Sequence, residues 1–136
     1  MLNKQQRDEL LAAAKKARAN AYAPYSKYHV GAALMTSSGA IYTGSNVENA
    51  AYPDSICAER VAIFKAVSEG QREFQAIAVV TRDGGTPCGS CRQVLAEFSP
   101  GALVLVANQA GKVVREGTVA DLLPGAFGPD NLKTSL

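Results

Sequence analysis

Apolar residues recur along the chain at two different spacings, and these spacings predict helices that alternate with strands. Residues 4–20 carry an apolar stripe at helical period, with cationic side chains near the end, where a helix favours positive charge. Pro24 prevents this helix from continuing. Further helices are predicted from Ile56 to Glu69 and from Pro87 to Phe98, and a short helix over residues 119–123.

Between the helices, runs of β-forming residues predict five strands. They are Val30–Thr36, Ala40–Ser45, Ala76–Thr81, Leu103–Ala107 and Val113–Arg115. The first two flank a turn and are expected to form an antiparallel hairpin. The third run is apolar without alternation, as in a central strand that is covered on both faces. The alternation of strands and helices in the middle implies parallel pairing. The predicted fold class is therefore α/β, one domain over residues 1–136 with a mixed sheet of about five strands sandwiched by helices.

Composition and charge argue against several classes of function. Of the 136 residues, 47% are hydrophobic and 19% are charged, which is typical of a globular protein. The formal net charge is +2, and no basic stripe predicts a nucleic-acid partner. No apolar run is long enough to cross a bilayer, and the N-terminal segment does not resemble a signal peptide. We therefore expect a cytoplasmic protein that binds neither nucleic acid nor membrane.

The reactive side chains are concentrated in two short stretches, C-A-E-R and P-C-G-S-C-R. Cys88 and Cys91 have the spacing that can hold one side of a zinc ion, and Cys57 can supply a third thiolate. Three protein ligands leave the fourth tetrahedral position open, as in catalytic zinc sites. Glu59 follows Cys57 by two residues, so its carboxylate can lie near that position and transfer protons. These residues predict hydrolytic chemistry at one zinc ion.

His29 leaves a second interpretation open. Three cysteines and one histidine are also the ligand count of a closed structural zinc site. The chain would then be a non-catalytic binding module whose fold is held together by a structural zinc ion. Against this, a chain of this size has enough apolar strands and helices to fold on its own core, and Glu59 would have no role. Coordination distinguishes the two hypotheses, because a catalytic site has three protein ligands and a structural site has four.

The order of C-A-E-R, then P-C-G-S-C-R-Q, with N-V-E-N before them, resembles the cytidine deaminase family in its short-chain, three-cysteine form. The resemblance implies one zinc ion per chain and hydrolytic deamination of cytidine and deoxycytidine at C4. The products would be ammonia and uridine or deoxyuridine, in pyrimidine nucleoside salvage. Glu59 would deliver a proton to N3 of the base and later to the departing ammonia.

The resemblance also implies which residues bind the nucleoside. Asn46 and Glu48 match the family's residues that hold the ribose hydroxyls. Tyr28 stands where the family usually has a phenylalanine that packs on the base, so stacking is expected with an added hydroxyl group. The backbone N–H of Ala58 would contact the pyrimidine edge. The carbonyl of Thr86 would accept a hydrogen bond from the amino group that leaves.

Two aromatic residues match family positions near subunit boundaries. Phe127 resembles the C-terminal phenylalanine that reaches the site of a neighbouring subunit, and Tyr52 resembles a residue near the intersubunit surface. These matches imply a homotetramer with composite sites.

Charge balance at the metal suggests roles for two arginines. Three thiolates on Zn²⁺ leave a net negative charge, which would weaken the effect of the metal on water. Arg60 and Arg92 each directly follow a ligand motif, and a guanidinium can donate hydrogen bonds to sulfur. We expect Arg60 to be such a partner of the thiolates, and Arg92 is a second candidate for the same role.

Two further substrates remain as alternatives within the deaminases. A modified cytosine nucleoside such as blasticidin S would need a different sugar site, whereas the intact N-V-E segment and Tyr28 favour an ordinary ribose. Cytosine in a nucleic acid would need a basic channel that the sequence lacks. Glu48 would also repel a phosphate, so a free nucleoside suits the site better than a nucleotide.

Overall fold

Every helix and strand expected from the sequence is present in the computed structural model, which describes residues 2–133. In chain order the elements are α1 (Lys4–Arg18), β1 (Gly31–Thr36), β2 (Ile41–Ser45), α2 (Ala58–Ser68), β3 (Phe74–Thr81), α3 (Gly89–Phe98), β4 (Leu103–Asn108), β5 (Val113–Thr118) and α4 (Val119–Leu122). The predicted domain limits, residues 1 and 136, lie outside the described range.

The largest difference from the predicted boundaries is in β5, which continues to Thr118 instead of ending at Arg115. Its backbone stays paired with β4 as far as Leu103, which lies opposite Thr118. The side chains of residues 115–117 carry no strand pattern because they lie on an edge strand. The length of β5 is therefore decided by its backbone partner.

The five strands form one mixed sheet in the order β2-β1-β3-β4-β5. Strands β3 and β4 are parallel and are connected through α3, whereas β1 pairs antiparallel with both β2 and β3. The edge strand β5 is antiparallel to β4. The predicted α/β fold with a mixed sheet between helices is confirmed.

Both faces of the sheet are covered, which explains the apolar run in β3. Ala76, Ala78 and Val80 belong to a buried cluster with α1, and Ile77 and Val79 belong to a second cluster with α2 and α3. Alternation of polar and apolar residues is absent because neither face of this strand meets water. No helix within residues 2–133 combines the length and the apolar character needed to cross a membrane.

The helices α2 and α3 both begin at the edge of the sheet where β2 and β3 end. Gly44 brings α2 unusually close to β2, since a Cβ atom at this position would lie 2.4 Å from the carbonyl oxygen of Ala58 and 2.7 Å from the amide nitrogen of Ala62. The first turn of α2 therefore packs directly against the strand backbone. This contact fixes the distance between the first turn of α2 and the sheet.

Candidate active site

The three cysteines meet where α2 and α3 begin. Cys57 immediately precedes α2, Cys88 immediately precedes α3, and Cys91 lies in the first turn of α3. The Sγ atom of Cys88 lies 3.8 Å from that of Cys57 and 3.5 Å from that of Cys91. All three sulfur atoms lie within 4.8 Å of one another. The unpaired N–H groups and the positive dipole at the helix starts favour thiolates there.

This spacing of sulfur atoms fits a tetrahedral zinc ion. Two sulfurs bound at about 2.3 Å to one tetrahedral zinc lie about 3.8 Å apart. Within the described residues, the group that could hold a metal consists of these three cysteines and does not include His29. The His29 Nδ1 atom instead lies 3.1 Å from the carbonyl oxygen of Lys27. The hypothesis of a closed site with three cysteines and one histidine is therefore wrong.

Arg60 donates a hydrogen bond from its guanidinium to Cys57, with 3.3 Å between Nη2 and Sγ. The neighbouring thiol of Cys91 and the guanidinium of Arg60 lower the pKa of Cys57 to about 5 against the effect of burial. The contact with Cys57 and burial raise the pKa of Cys91. Cys57 is thus held as a thiolate at neutral pH, which is the form that binds metal.

Arg92 lies close to the site but contacts oxygen atoms, not sulfur. Its guanidinium donates to the carbonyl oxygens of Pro87 and Leu122, each at 2.8 Å, and to the hydroxyl of Thr86 at 3.0 Å. The expectation that Arg92 partners the thiolates is therefore corrected. Its side chain turns away from the cluster because α4 packs beside α3 and presents the Leu122 carbonyl.

Glu59 is buried, with 4% of its surface exposed, and its side chain lines a cavity beside the thiols. Burial, together with a smaller effect of the negative charge on Cys57, raises its pKa to about 7. A carboxyl group with a pKa near neutrality can both accept and donate a proton at neutral pH. The position and the pKa suit the proton-transfer role expected from the sequence.

The cavity has a volume of about 610 Å³. Eight of the predicted site residues line it, namely Tyr28, Asn46, Glu48, Cys57, Glu59, Arg60, Thr86 and Cys88. The wall also includes Ser26, Ile56, Thr81 and Gly85, which the sequence analysis did not single out. These residues come from three separate segments of the chain, and no sequence motif marks them as neighbours.

Asn46 and Glu48 both brace the loop that carries Tyr28. The amide of Asn46 accepts a hydrogen bond from the N–H of Val30 at 2.9 Å and donates to the carbonyl of Tyr28 at 2.8 Å. The carboxylate of Glu48 accepts from the N–H groups of Tyr25 and Ser26, at 3.0 and 3.1 Å, and from the Ser26 hydroxyl. The hydroxyl contact with Ser26 and these N–H groups hold the pKa of Glu48 below its usual range. These hydrogen bonds therefore hold the side chains of Asn46 and Glu48 in fixed positions at the cavity wall.

Tyr28 contacts the loop that follows β3. Its hydroxyl donates to the Oδ1 atom of Asp83 at 2.7 Å, and burial is the main cause of a raised Tyr28 pKa. Asp83 was not predicted as a site residue. The only signal in the sequence was the added hydroxyl of Tyr28, which needs a partner when the ring is partly buried.

Ala58 and Phe127 do not line this cavity. Ala58 is fully buried in the first turn of α2. Phe127 is 58% exposed, and its carbonyl accepts a hydrogen bond from the Gln93 amide at 2.8 Å, beside a separate hollow of about 300 Å³. Tyr52 does line the main cavity, is 70% exposed, and packs edge-on against Tyr25 with 5.8 Å between ring centroids.

The fold and the three-thiol cluster define a zinc-binding deaminase. The family model described as the cytidine and deoxycytidylate deaminase zinc-binding region matches residues 4–107. A cytidine deaminase of Sporosarcina psychrophila is 52% identical over 127 residues, which cover 92% of this chain and 93% of the relative. The chain therefore belongs to the cytidine and deoxycytidylate deaminase family.

Two further matches show how far the similarity extends. The crystal structure of a cytidine deaminase from Burkholderia pseudomallei superposes with a TM-score of 0.85 at 47% identity, covering 93% of this chain and 100% of that chain. A blasticidin-S deaminase of Bacillus cereus is 34% identical over 108 residues, covering 72% of this chain and 76% of the relative. The resemblance expected from the sequence motifs is confirmed.

Proposed function

We propose that the protein catalyses the zinc-dependent hydrolytic deamination of cytidine and deoxycytidine, as a step in pyrimidine nucleoside salvage. The products are uridine or deoxyuridine and ammonia. The observation that carries this proposal is the buried carboxyl group of Glu59 in the cavity that Cys57 and Cys88 of the three-thiol cluster also line. A cavity of about 610 Å³ also falls within the usual size of small-molecule sites.

Cys57, Cys88 and Cys91 hold the metal in this proposal, which leaves one coordination position open. When bound, zinc supplies a Lewis acid that lowers the pKa of water. Arg60 offsets part of the negative charge of the thiolates through its hydrogen bond to Cys57. The two helix starts add further positive potential.

Glu59 moves protons between water and the base. It accepts a proton from water and delivers it to N3 of the cytosine ring while the hydroxide adds at C4. It then takes the proton of the new C4 hydroxyl and gives it to the amino group, which leaves as ammonia while the C4 carbonyl forms. Its pKa of about 7 permits both directions of transfer near neutral pH. Burial also excludes bulk water, which strengthens the interaction of its charge with the reacting atoms.

The other cavity residues orient the nucleoside. The Tyr28 ring packs on the base, Asn46 and Glu48 bind the ribose hydroxyls, and the Thr86 carbonyl accepts a hydrogen bond from the leaving amino group. The backbone N–H of Ala58, in the first turn of α2, has no partner within the helix and contacts the pyrimidine edge. The ionised Glu48 disfavours phosphate, so free nucleosides are the preferred substrates.

A spectrophotometric assay with cytidine tests the function through Glu59→Gln. We expect turnover to fall by about 10²- to 10⁴-fold, because the amide cannot transfer protons, while zinc content stays equal to that of the parent. Glu97→Gln is the matched control, since Glu97 is exposed on α3 and outside the cavity. Full activity in Glu59→Gln would overturn the role of this residue, and a zinc-loaded parent that forms no uridine would overturn the function.

The same assay with blasticidin S in place of cytidine tests the alternative substrate. The higher identity to a cytidine deaminase and the ribose-binding pair Asn46 and Glu48 favour cytidine. A parent enzyme that turned over blasticidin S faster than cytidine would reverse this assignment.

We further propose that the protein is a cytoplasmic homotetramer in which Phe127 completes the site of a neighbouring subunit. The exposed aromatic residues Tyr25, Tyr52 and Phe127 support an apolar interface. We expect light scattering to give a mass of about four times the chain mass of 14.2 kDa. Phe127→Ala should reduce turnover without loss of zinc, and a monomeric parent with full activity would contradict the composite site.

A further inference from the structure

Two separate segments of the chain both contribute to the cavity wall and are joined by one side-chain hydrogen bond. Tyr28 lies in the segment between α1 and β1, and residues 82–86 form the loop between β3 and α3. Tyr28 and Thr86 both line the cavity. The hydroxyl of Tyr28 donates to the Oδ1 atom of Asp83 at 2.7 Å. This bond connects the aromatic wall to the loop that carries Thr86.

Asp83 is itself held by the loop. The hydroxyl of Thr81 donates to the same Oδ1 atom at 3.4 Å and accepts hydrogen bonds from the N–H groups of Gly84 and Gly85, both at 2.8 Å. The loop is therefore a compact turn built around one hydroxyl group. An acceptor fixed in this way can transmit the position of Tyr28 to the loop backbone.

Gly85 leaves room for the hydroxyl of Tyr28. A Cβ atom at this position would lie 2.4 Å from the Tyr28 oxygen but 3.5 Å from the ring carbon that carries it. The first distance is a clash and the second is an ordinary contact. Glycine is thus required here by the hydroxyl and not by the ring.

Arg82 adds a third link between the two segments. Its guanidinium carbon lies 5.9 Å from the centroid of the Tyr28 ring, which is within the range of a cation–π contact. Tyr28 therefore lies next to three residues of one short loop, namely Arg82, Asp83 and Gly85.

We propose that Asp83 is a positioning residue, and that its hydrogen bond to Tyr28 latches the base-stacking wall of the cavity to the loop carrying Thr86. This hydrogen bond, which we call the latch, holds the Tyr28 ring and the Thr86 carbonyl at a fixed separation. Both groups then keep their positions relative to the base. The substrate part of this inference rests on the proposed function. The latch itself is a property of the folded chain and is tested separately.

The sharpest test combines Gly85→Ala with Tyr28→Phe. Gly85→Ala alone should lower kcat/KM for cytidine by about 100-fold, since the new methyl group collides with the hydroxyl. Tyr28→Phe alone should lower it by roughly 3- to 10-fold, mainly through KM, because one hydrogen bond is lost while the ring remains. The double variant should recover to within about threefold of Tyr28→Phe. A double variant no better than Gly85→Ala would overturn the latch.

Asp83 is tested by a second pair of variants. Asp83→Ala should raise KM as Tyr28→Phe does, and combining the two should add no further loss because they remove the same bond. Asp83→Asn keeps an acceptor oxygen and should retain most of the parental KM. Additive losses in the double variant, or equal losses in the alanine and asparagine variants, would contradict the assigned role.

Hydrogen exchange provides a readout that does not depend on turnover. Tyr28→Phe should speed amide exchange in residues 82–86, whereas Tyr42→Phe, on strand β2 outside the cavity, should leave it unchanged. Unchanged exchange in Tyr28→Phe would overturn the latch even if the enzyme were active. A parent without cytidine turnover but with faster exchange in Tyr28→Phe would overturn the proposed function and retain the latch.

Discussion

The pKa values and the hydrogen-bond partners of single residues at this site depend on their surroundings more than on the residue type. Glu59 is one of twelve acidic residues, and its pKa is raised to about 7 because α2 buries it against the sheet. Arg60 and Arg92 occupy matching places after the two cysteine motifs, yet one contacts sulfur and the other contacts only oxygen. Arg60 contacts a cysteine of its own motif, whereas one partner of Arg92, the Leu122 carbonyl, comes from a helix elsewhere in the chain.

The raised pKa of Glu59 predicts a pH-dependent cost to stability in the zinc-free protein. The folded state disfavours the charged carboxylate, so the contribution of Glu59 to stability is greatest below the usual pKa of 4.5 and is lost as pH rises to about 7. Glu59→Gln cannot ionise, and it should exceed the parent by about 3 kcal/mol at pH 8. Urea unfolding of both zinc-free proteins at pH 5 and pH 8 measures this.

The difference between the two proteins should shrink towards pH 5, since the parent then binds the proton without strain. The negative charge on Cys57, which also raises the pKa of Glu59, contributes to this difference. A pH-independent difference would show that burial does not control the ionisation of Glu59.

At the scale of elements, the chemistry depends on where α2 and α3 begin. Cys57 lies just before α2, Cys88 lies just before α3, and Cys91 lies in the first turn of α3. The spacing of the cysteines on their helices follows from the sequence, because helical geometry fixes it locally. The distance between the two helix starts is not local, and it depends on how closely each helix packs on the sheet.

Gly44→Ala should displace α2 from β2 and disturb the metal site. The new Cβ atom would meet backbone atoms of Ala58 and Ala62, which cannot move without shifting the helix. We expect a loss of roughly 3 kcal/mol in the free energy of unfolding and weaker zinc binding. Thermal unfolding and zinc titration measure the two effects.

Gly101→Ala is the matched control, since a Cβ atom there has no neighbour within 4 Å. This substitution should be neutral or slightly stabilising. Equal effects of the two substitutions would mean that the close contact between α2 and β2 does not position the site.

At the scale of the whole molecule, the sheet and its two covering layers form a core that does not include Cys57 and Cys88, two of the proposed metal ligands. The buried clusters on the two faces contain large side chains such as Leu34, Ile77 and Leu105. Zinc is therefore expected to stabilise a chain that is already folded. This differs from small zinc modules, which unfold without their metal.

Removing zinc with a chelator should lower the Tm but keep the secondary structure. With free zinc at about 1,000 times its Kd, binding adds about 4 kcal/mol, which corresponds to roughly 10–15 °C in a chain of this length. Circular dichroism follows both quantities. In Cys88→Ser the chelator should have little effect on the Tm, and complete unfolding of the parent by chelator would contradict an independent core.

The sequence by itself determined the order of the elements, the α/β class and the zinc-binding set with its neighbouring carboxylate. These features depend on periodicity, helix starts and short motifs, all of which are local along the chain. Only the tertiary structure decided the strand order, the contact of Tyr28 with Asp83, the partners of Arg92 and the place of Phe127 outside its own cavity. Each of these depends on segments that are far apart in sequence and are brought together by burial of the two faces of the sheet, which no local pattern encodes.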